Sequence, residues 1–171
     1  MNGHKGVSSR PRESFISIIS AGFFFVLIGA LFITMPTLFD SIISFFRNFD
    51  FVTIPHTGIV VIAPTRPWTH LVVYRAAETF SFIWGLFQIV ILALKFIVRS
   101  PIAKKAETAS NIVGWLGTGY LINTYLTGTT TLTIWFVFWS MIITLIGVSL
   151  IIRAIILVVA TVMPTTSMAT T

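Results

Sequence analysis

SFISIISAGFFFVLIGALFITM, residues 14–35, runs for 22 residues without a charge. TFSFIWGLFQIVILAL, residues 79–94, does the same for 16, and residues 108–152 do so for 45. The last run carries its own polar break, Thr127-Gly128-Thr129-Thr130-Thr131. An uncharged apolar stretch of about 20 residues matches the ~30 Å hydrocarbon core of a bilayer. The charges of this chain are thus confined to the gaps between four apolar segments. The pattern predicts an all-α membrane protein, a bundle of four transmembrane helices forming one domain over residues 1–171.

Composition points the same way. Hydrophobic residues make up 56% of the 171, and Asp, Glu, Lys and Arg only 9%. Soluble domains carry about 25% charged residues. A net charge of +6 would suit nucleic acid. However, the basic residues flank apolar runs instead of clustering with aromatics on a soluble face, so no nucleic-acid partner is expected. The chain has no cysteine, which removes disulfides, thiolate nucleophiles and Cys-ligated metals.

The expected helices cover about residues 14–35, 68–98, 108–126 and 132–160. The first is too long for a signal-peptide apolar region and meets no Ala-x-Ala-like site before Pro36, so it reads as an uncleaved helix. Pro36 ends it. A short amphipathic helix is expected over residues 37–50, opened by a Thr37/Asp40 capping box. Phe39, Phe45, Phe46 and Phe49 share its apolar face with Leu38 and Ile42, opposite Asp40, Ser44 and Arg47. Such a face either anchors the helix in the membrane interface, the reading favoured here, or packs on the protein's own bundle. Residues 51–69 are broken by Pro55, Pro64 and Pro67, with one β-branched run, Ile59–Ile62, that suits a strand needing a partner.

Lys and Arg favour the cytoplasmic side. Lys5, Arg10, Arg12, Lys95, Arg99, Lys104, Lys105 and Arg153 fall on one side of a four-crossing chain, and only Arg47 and Arg66 on the other. This places both termini in the cytoplasm and residues 36–76 outside, in a plasma-membrane protein. Lys95, Arg99, Lys104, Lys105 and Arg153 then form an inner basic anchor. The Arg99–Lys105 loop also suits anionic headgroups.

Ionisable groups inside apolar runs are expensive in lipid and are candidates for function. Arg75 and Glu78 lie three residues apart and can pair. Whether they sit in the bilayer or at its edge depends on where the second span begins, and the edge is favoured. A stripe of Tyr74, Glu78, Ser81, Gly85, Gln88, Leu92 and Lys95 follows one face of that helix. Asn111, Gly114, Thr118 and Asn123 mark the third helix, and Ser140, Thr144 and Gly147 the fourth. Membrane helices set small and polar residues against one another, so these faces are expected to converge. Arg75, Glu78, Ser81, Gln88, Asn111 and Asn123 make the candidate intramembrane polar site.

No zinc-binding His-Glu-x-x-His, nucleophile elbow or phosphate-binding loop is present, and none of the three histidines falls in the middle of a span. No enzymatic activity, catalytic residue, metal or cofactor is expected. The leading expectation is a small non-catalytic membrane protein, an accessory or structural subunit. Its partners would be the lipid bilayer and other membrane subunits, or further copies of itself. The alternative is a small-solute or ion transporter or channel subunit with a polar path along the second spanning helix.

Overall fold

The computed structural model describes residues 10–54 and 57–162, without the side chains of residues 10–13 and 161. Lys5, His4, His56, the Arg10 and Arg12 side chains and the Thr-rich tail lie outside the described residues. The elements are α1 (Arg10–Thr34), α2 (Leu38–Arg47), β1 (Phe49–Thr53), β2 (Val60–Pro64), a 3₁₀ turn (Pro67–Thr69), α3 (Leu71–Ile97), α4 (Ile102–Tyr125) and α5 (Leu132–Val162).

Three of these helices, α1, α3 and α5, are long and apolar enough to cross a membrane. The protein is therefore mostly helical and suited to a bilayer. The helix expected over residues 108–126 forms, but α4 does not reach the same apolarity. It starts earlier, at Ile102, because Pro101 sets its beginning, and so it takes Lys104, Lys105 and Glu107 into its first two turns.

The long helices pack side by side in a row, and the four-transmembrane-helix bundle expected from the sequence is not confirmed. α1 packs on α3, α3 on α4, and α4 on α5. Aromatic rings join the first pair: Phe23 stacks on Phe87 with centroids 3.8 Å apart, and Phe24 meets Trp84 edge-on at 5.5 Å. Glycines join the others. A Cβ on Gly85 would stand 2.6 Å from Leu116 Cδ2, and one on Gly119 3.1 Å from the Phe82 ring. A Cβ on Gly117 would stand 2.6 Å from Leu145 on α5. Backbones that approach this closely maximise dispersion contact, the main attraction available to helices in lipid. α4 is flanked by α3 and α5, and the charged residues Lys104, Lys105 and Glu107 of its first two turns lower its apolarity.

The segment between α1 and α3 covers one end of this row. α2 stops at Arg47, not at residue 50 as expected, because Asn48 leaves the helix to hold the loop. Its Oδ1 accepts from the Arg66 N–H at 2.9 Å and its carbonyl from the Thr65 N–H at 3.0 Å. Phe49 therefore begins a strand. Aromatic Phe49 and Phe51 and β-branched Val52 and Thr53 suit a strand, and this outweighs the helical spacing of Phe49 with Phe45. β1 pairs antiparallel with β2, from Phe49 opposite Pro64 to Thr53 opposite Val60. The β-branched run thus finds its partner within the loop. The Thr37/Asp40 capping box does not form, since Thr37 makes no side-chain cap hydrogen bond.

The second spanning helix begins at Leu71, after the 3₁₀ turn, where Tyr74 donates from its hydroxyl to the Pro67 carbonyl at 2.8 Å. Ala63, Tyr74, Ile122, Leu126, Trp135 and Phe138 form a core that ties β2 to the adjoining ends of α3, α4 and α5. At the opposite end, α3 closes with the Ser100 N–H on the Lys95 carbonyl, and Arg99 takes the left-handed conformation (φ 54°).

The glycine contacts set a clear expectation. Gly85→Val should lower the thermal stability of the purified protein by ~1–3 kcal/mol through overpacking against Leu116. Gly22→Val, where an added Cβ meets nothing within 4 Å, should leave it nearly unchanged. Melting curves in detergent check both.

Candidate functional site

The polar stripe of α3 faces its neighbours: Tyr74, Ser81, Gly85 and Gln88 are all buried. It does not form one site. Its polar residues divide into two clusters at opposite ends of the α3–α4 contact.

The first cluster sits near the start of α3 and the end of α4. Arg75 Nη1 donates to Glu78 Oε2 at 2.9 Å, and Asn123 Nδ2 donates to Glu78 Oε1 at 2.6 Å. Both carboxylate oxygens are thus engaged, one within α3 and one across to α4. The Glu78 side chain is 13% exposed and that of Arg75 53%. The exposed ion pair contributes ~1 kcal/mol or less. The charge-assisted bond to Asn123 contributes more, ~1.5–3 kcal/mol, and it crosses between helices.

The second cluster lies where α3 passes into α4. Lys95 Nζ donates to Thr108 Oγ1 at 2.6 Å and to the Lys104 carbonyl at 3.3 Å, while Thr108 donates to that same carbonyl at 2.9 Å. Thr108 is almost fully buried. Gln88 and Asn111 line a cavity of about 290 Å³ beside this network, between α1, α3 and α4. Ser81 belongs to neither cluster, because it donates to the Ala77 carbonyl of its own helix at 2.7 Å.

Apolar packing separates the two clusters. Phe82 lies against Gly119, Leu116 against Gly85, and Trp115 meets Phe80 edge-on at 5.5 Å. Glu78 and Gln88 are ten residues apart on α3, roughly 15 Å by the helical rise. The expected face of the last helix does not join either cluster. Ser140 and Thr144 are exposed and donate to Phe136 and Ser140 carbonyls of α5 itself, and Gly147 has open space around it. The α4–α5 contact uses a different pair: Ser110, buried, donates to the Ser149 carbonyl at 2.7 Å.

The four phenylalanines of the expected interfacial anchor also divide. Phe39 and Phe46 point away from the protein and are well exposed. Phe45 packs inward on His70, Tyr74 and Trp135, with centroids 5.1, 6.2 and 6.1 Å away, and Phe49 lies 5.0 Å from Phe45. His70 is buried, its Nε2 has no hydrogen-bond partner, and burial lowers its pKa from the ordinary value. Among the basic anchors, Lys105 places its ammonium 4.4 Å from the Phe96 ring centroid, and Arg99 and Arg153 are exposed.

Sequence spacing missed three features. Thr108 reaches Lys95 only because the turn at Val98–Pro101 folds α4 back on α3. Ser100 is buried beside that turn with an unpartnered hydroxyl. On the hairpin, Phe51 lies directly opposite Ile62, and the two are 73% and 65% exposed. The aromatic and β-branched residues of Phe49–Thr53 were the available signal for this last feature.

Among the described residues, no group of three His, Asp or Glu side chains is placed to hold a metal ion. Compared with known proteins, the chain matches no family model, no curated protein and no solved structure. What the fold defines is a class: a helical protein with long apolar helices suited to a membrane.

The Glu78–Asn123 bond should behave as a structural clamp. Glu78→Ala should destabilise the protein by ~1–3 kcal/mol, and Asn123→Ala added to it should change little further. A double-mutant cycle on detergent-solubilised protein should return a coupling of ~1 kcal/mol or more. Strict additivity would contradict the clamp.

Proposed function

We propose that this is a small non-catalytic plasma-membrane protein that acts by association, as an accessory or structural subunit or as a homo-oligomer. In this reading α4 is the fourth crossing, both termini are cytoplasmic, and α2 lies in the outer interface. At 24 residues α4 is roughly 36 Å long, enough to cross, and its charged first turns fall at the basic end.

The observation that carries the reading is the outer face of the hairpin. One face of the β1–β2 ladder meets the helix ends through Ala63 and Val52. The other presents Phe51, Val60 and Ile62, with Ile59 beside them, all more than half exposed. A two-stranded ladder also leaves backbone groups unpaired along both edges. Exposed apolar side chains beside open edges are what a partner strand or helix covers. This patch lies outside the apolar spans, where acyl chains do not by themselves account for it.

The alternative, a solute path along α3, draws less support. Glu78 is held by Arg75 and Asn123, and the close α3–α4 packing fills the space between Glu78 and Gln88.

A tagged protein drawn from its native membrane in mild detergent should bring a partner, or further copies, at a fixed ratio by mass spectrometry. Phe51→Asp with Ile62→Asp should abolish that recovery while leaving membrane insertion and the melting temperature nearly unchanged. A monomer in native membranes that yields no crosslinked neighbour would overturn the proposal.

A further inference from the structure

The β1–β2 hairpin has two edges, and they are not alike. The Ile54 N–H donates to the Ile59 carbonyl, and the Thr65 N–H to the Asn48 carbonyl. In an antiparallel ladder, hydrogen-bonded pairs alternate with non-hydrogen-bonded ones. The bonds at the two ends therefore place the others on the Asp50–Ala63 and Val52–Val61 pairs. Phe49, Phe51 and Thr53 turn their backbone groups to the outer edge of β1, and Val60 and Ile62 turn theirs to the outer edge of β2. On β1 that edge is closed at its centre, because the Phe51 N–H donates to Asp50 Oδ1 at 2.8 Å. The β2 edge has no such guard. From residue 59 to 63 it carries no charge and no proline, and Val60 and Ile62 are 57% and 65% exposed. Charges, prolines and bulges are the devices that keep edges from pairing.

An extended strand completes such an edge, supplying backbone bonds and opposing side chains. Laid antiparallel against itself, β2 meets its own requirements. Only the edge-facing residues Val60 and Ile62 can bond across. With a two-fold axis at Val61, Val60 lies opposite Ile62 of the second copy, and each such pair exchanges two backbone hydrogen bonds. An axis at Ile62 would set Val60 against Pro64, which has no N–H. An axis at Val60 would set Ile62 against Gly58, which leaves the strand with φ 69°. The axis at Val61 also brings Ile59 opposite Ala63, so apolar residues meet apolar residues and no like charges are opposed. Two copies in one membrane carry this edge at one height, which suits the isologous interface of a symmetric dimer.

We propose that the β2 edge pairs with the β2 edge of a second copy of this chain, Val60 opposite Ile62 about a two-fold axis at Val61, to form one four-stranded sheet. The proposal rests on the association reading and deepens it by naming the partner. It also gives the exposed Val60 and Ile62 side chains a neighbour, since directly opposite residues stand on the same face of a sheet. β1, its central donor closed by Asp50, becomes the outer edge of that sheet.

Full-length protein in its native membrane tests the pairing, because the chain has no cysteine of its own. Across the axis the two Val61 residues form a non-hydrogen-bonded pair with Cα atoms about 4.5 Å apart, within the reach of a disulfide. Val61→Cys should therefore yield a disulfide-linked dimer on mild oxidation, and Thr53→Cys, on the β1 edge, should not. Adding Ile62→Pro to Val61→Cys removes an edge donor but no bond of the hairpin. It should cut the crosslinked fraction roughly tenfold and leave the melting temperature nearly unchanged. Thr53→Pro, at an outward-facing position of β1, guards against a proline that merely unfolds the hairpin, and it should leave the Val61→Cys crosslink intact. Copies that associate at a fixed ratio without the Val61→Cys crosslink, or with one that Ile62→Pro does not reduce, would overturn this pairing and leave the association reading standing. Recovery of a different protein as the only partner would do the same. A monomer with no neighbour would overturn both.

Discussion

The contact between α3 and α4 is the constraint from which the rest of the structure follows. It is fastened at both ends by polar bonds and closed in the middle by glycines. Glu78 reaches Asn123 at one end, and Lys95 reaches Thr108 at the other. Between them Gly85 and Gly119 admit Leu116 and Phe82. The two spans agree: Glu78 to Lys95 is 17 residues and Thr108 to Asn123 is 15, roughly 25 and 23 Å along antiparallel helices. In hydrocarbon, an unsatisfied carboxylate or amide is costly, and lipid offers it no partner. Each clamp satisfies groups that would otherwise be exposed to that medium or to its edge, and together they fix the register of the pair.

The remaining helices arrange themselves around this pair. α5 rests on the opposite side of α4 through Gly117 and the Ser110–Ser149 bond, and it gives most of its surface to lipid. α1 rests on α3 through ring contacts, Phe23 on Phe87 and Phe24 edge-on to Trp84, and through Leu31 packed with Ala76 and Phe80. α4 is the least apolar of the long helices because it carries Lys104, Lys105 and Glu107 in its first turns and polar residues, Thr108, Ser110, Asn111 and Asn123, along its length.

Much of this was legible from the chain. Charge-free runs located the long helices, and proline and the Thr-rich turn located their ends. The small and polar face of the second spanning helix is the face that packs. What the sequence did not show depended on chain reversal. Glu78 and Asn123 are 45 residues apart, and nothing in their spacing pairs them. Lys95 reads as an interfacial cation until the turn at Arg99 brings Thr108 beneath it. Phe49 matches the helical face of α2 but belongs to β1, because Asn48 spends its side chain on Arg66 and ends the helix. Ser140 and Thr144 look like a packing face, yet each donates to a carbonyl of its own helix and gains nothing by meeting a neighbour. Period and composition identify which residues avoid lipid. They do not identify which satisfy themselves locally and which cross to another helix.

We propose that α4 crosses the membrane despite its charged start, packed along α3. The most direct measurement labels single cysteines at Ala103, beside the start of α4, and at Gly128, in the turn after it, with a membrane-impermeant thiol reagent on intact cells. Both positions are exposed, and the native chain has no cysteine to interfere. The account predicts that Gly128→Cys is labelled from outside and that Ala103→Cys is labelled only after permeabilisation. Labelling of both from the same side would mean that α4 does not cross, and would contradict it.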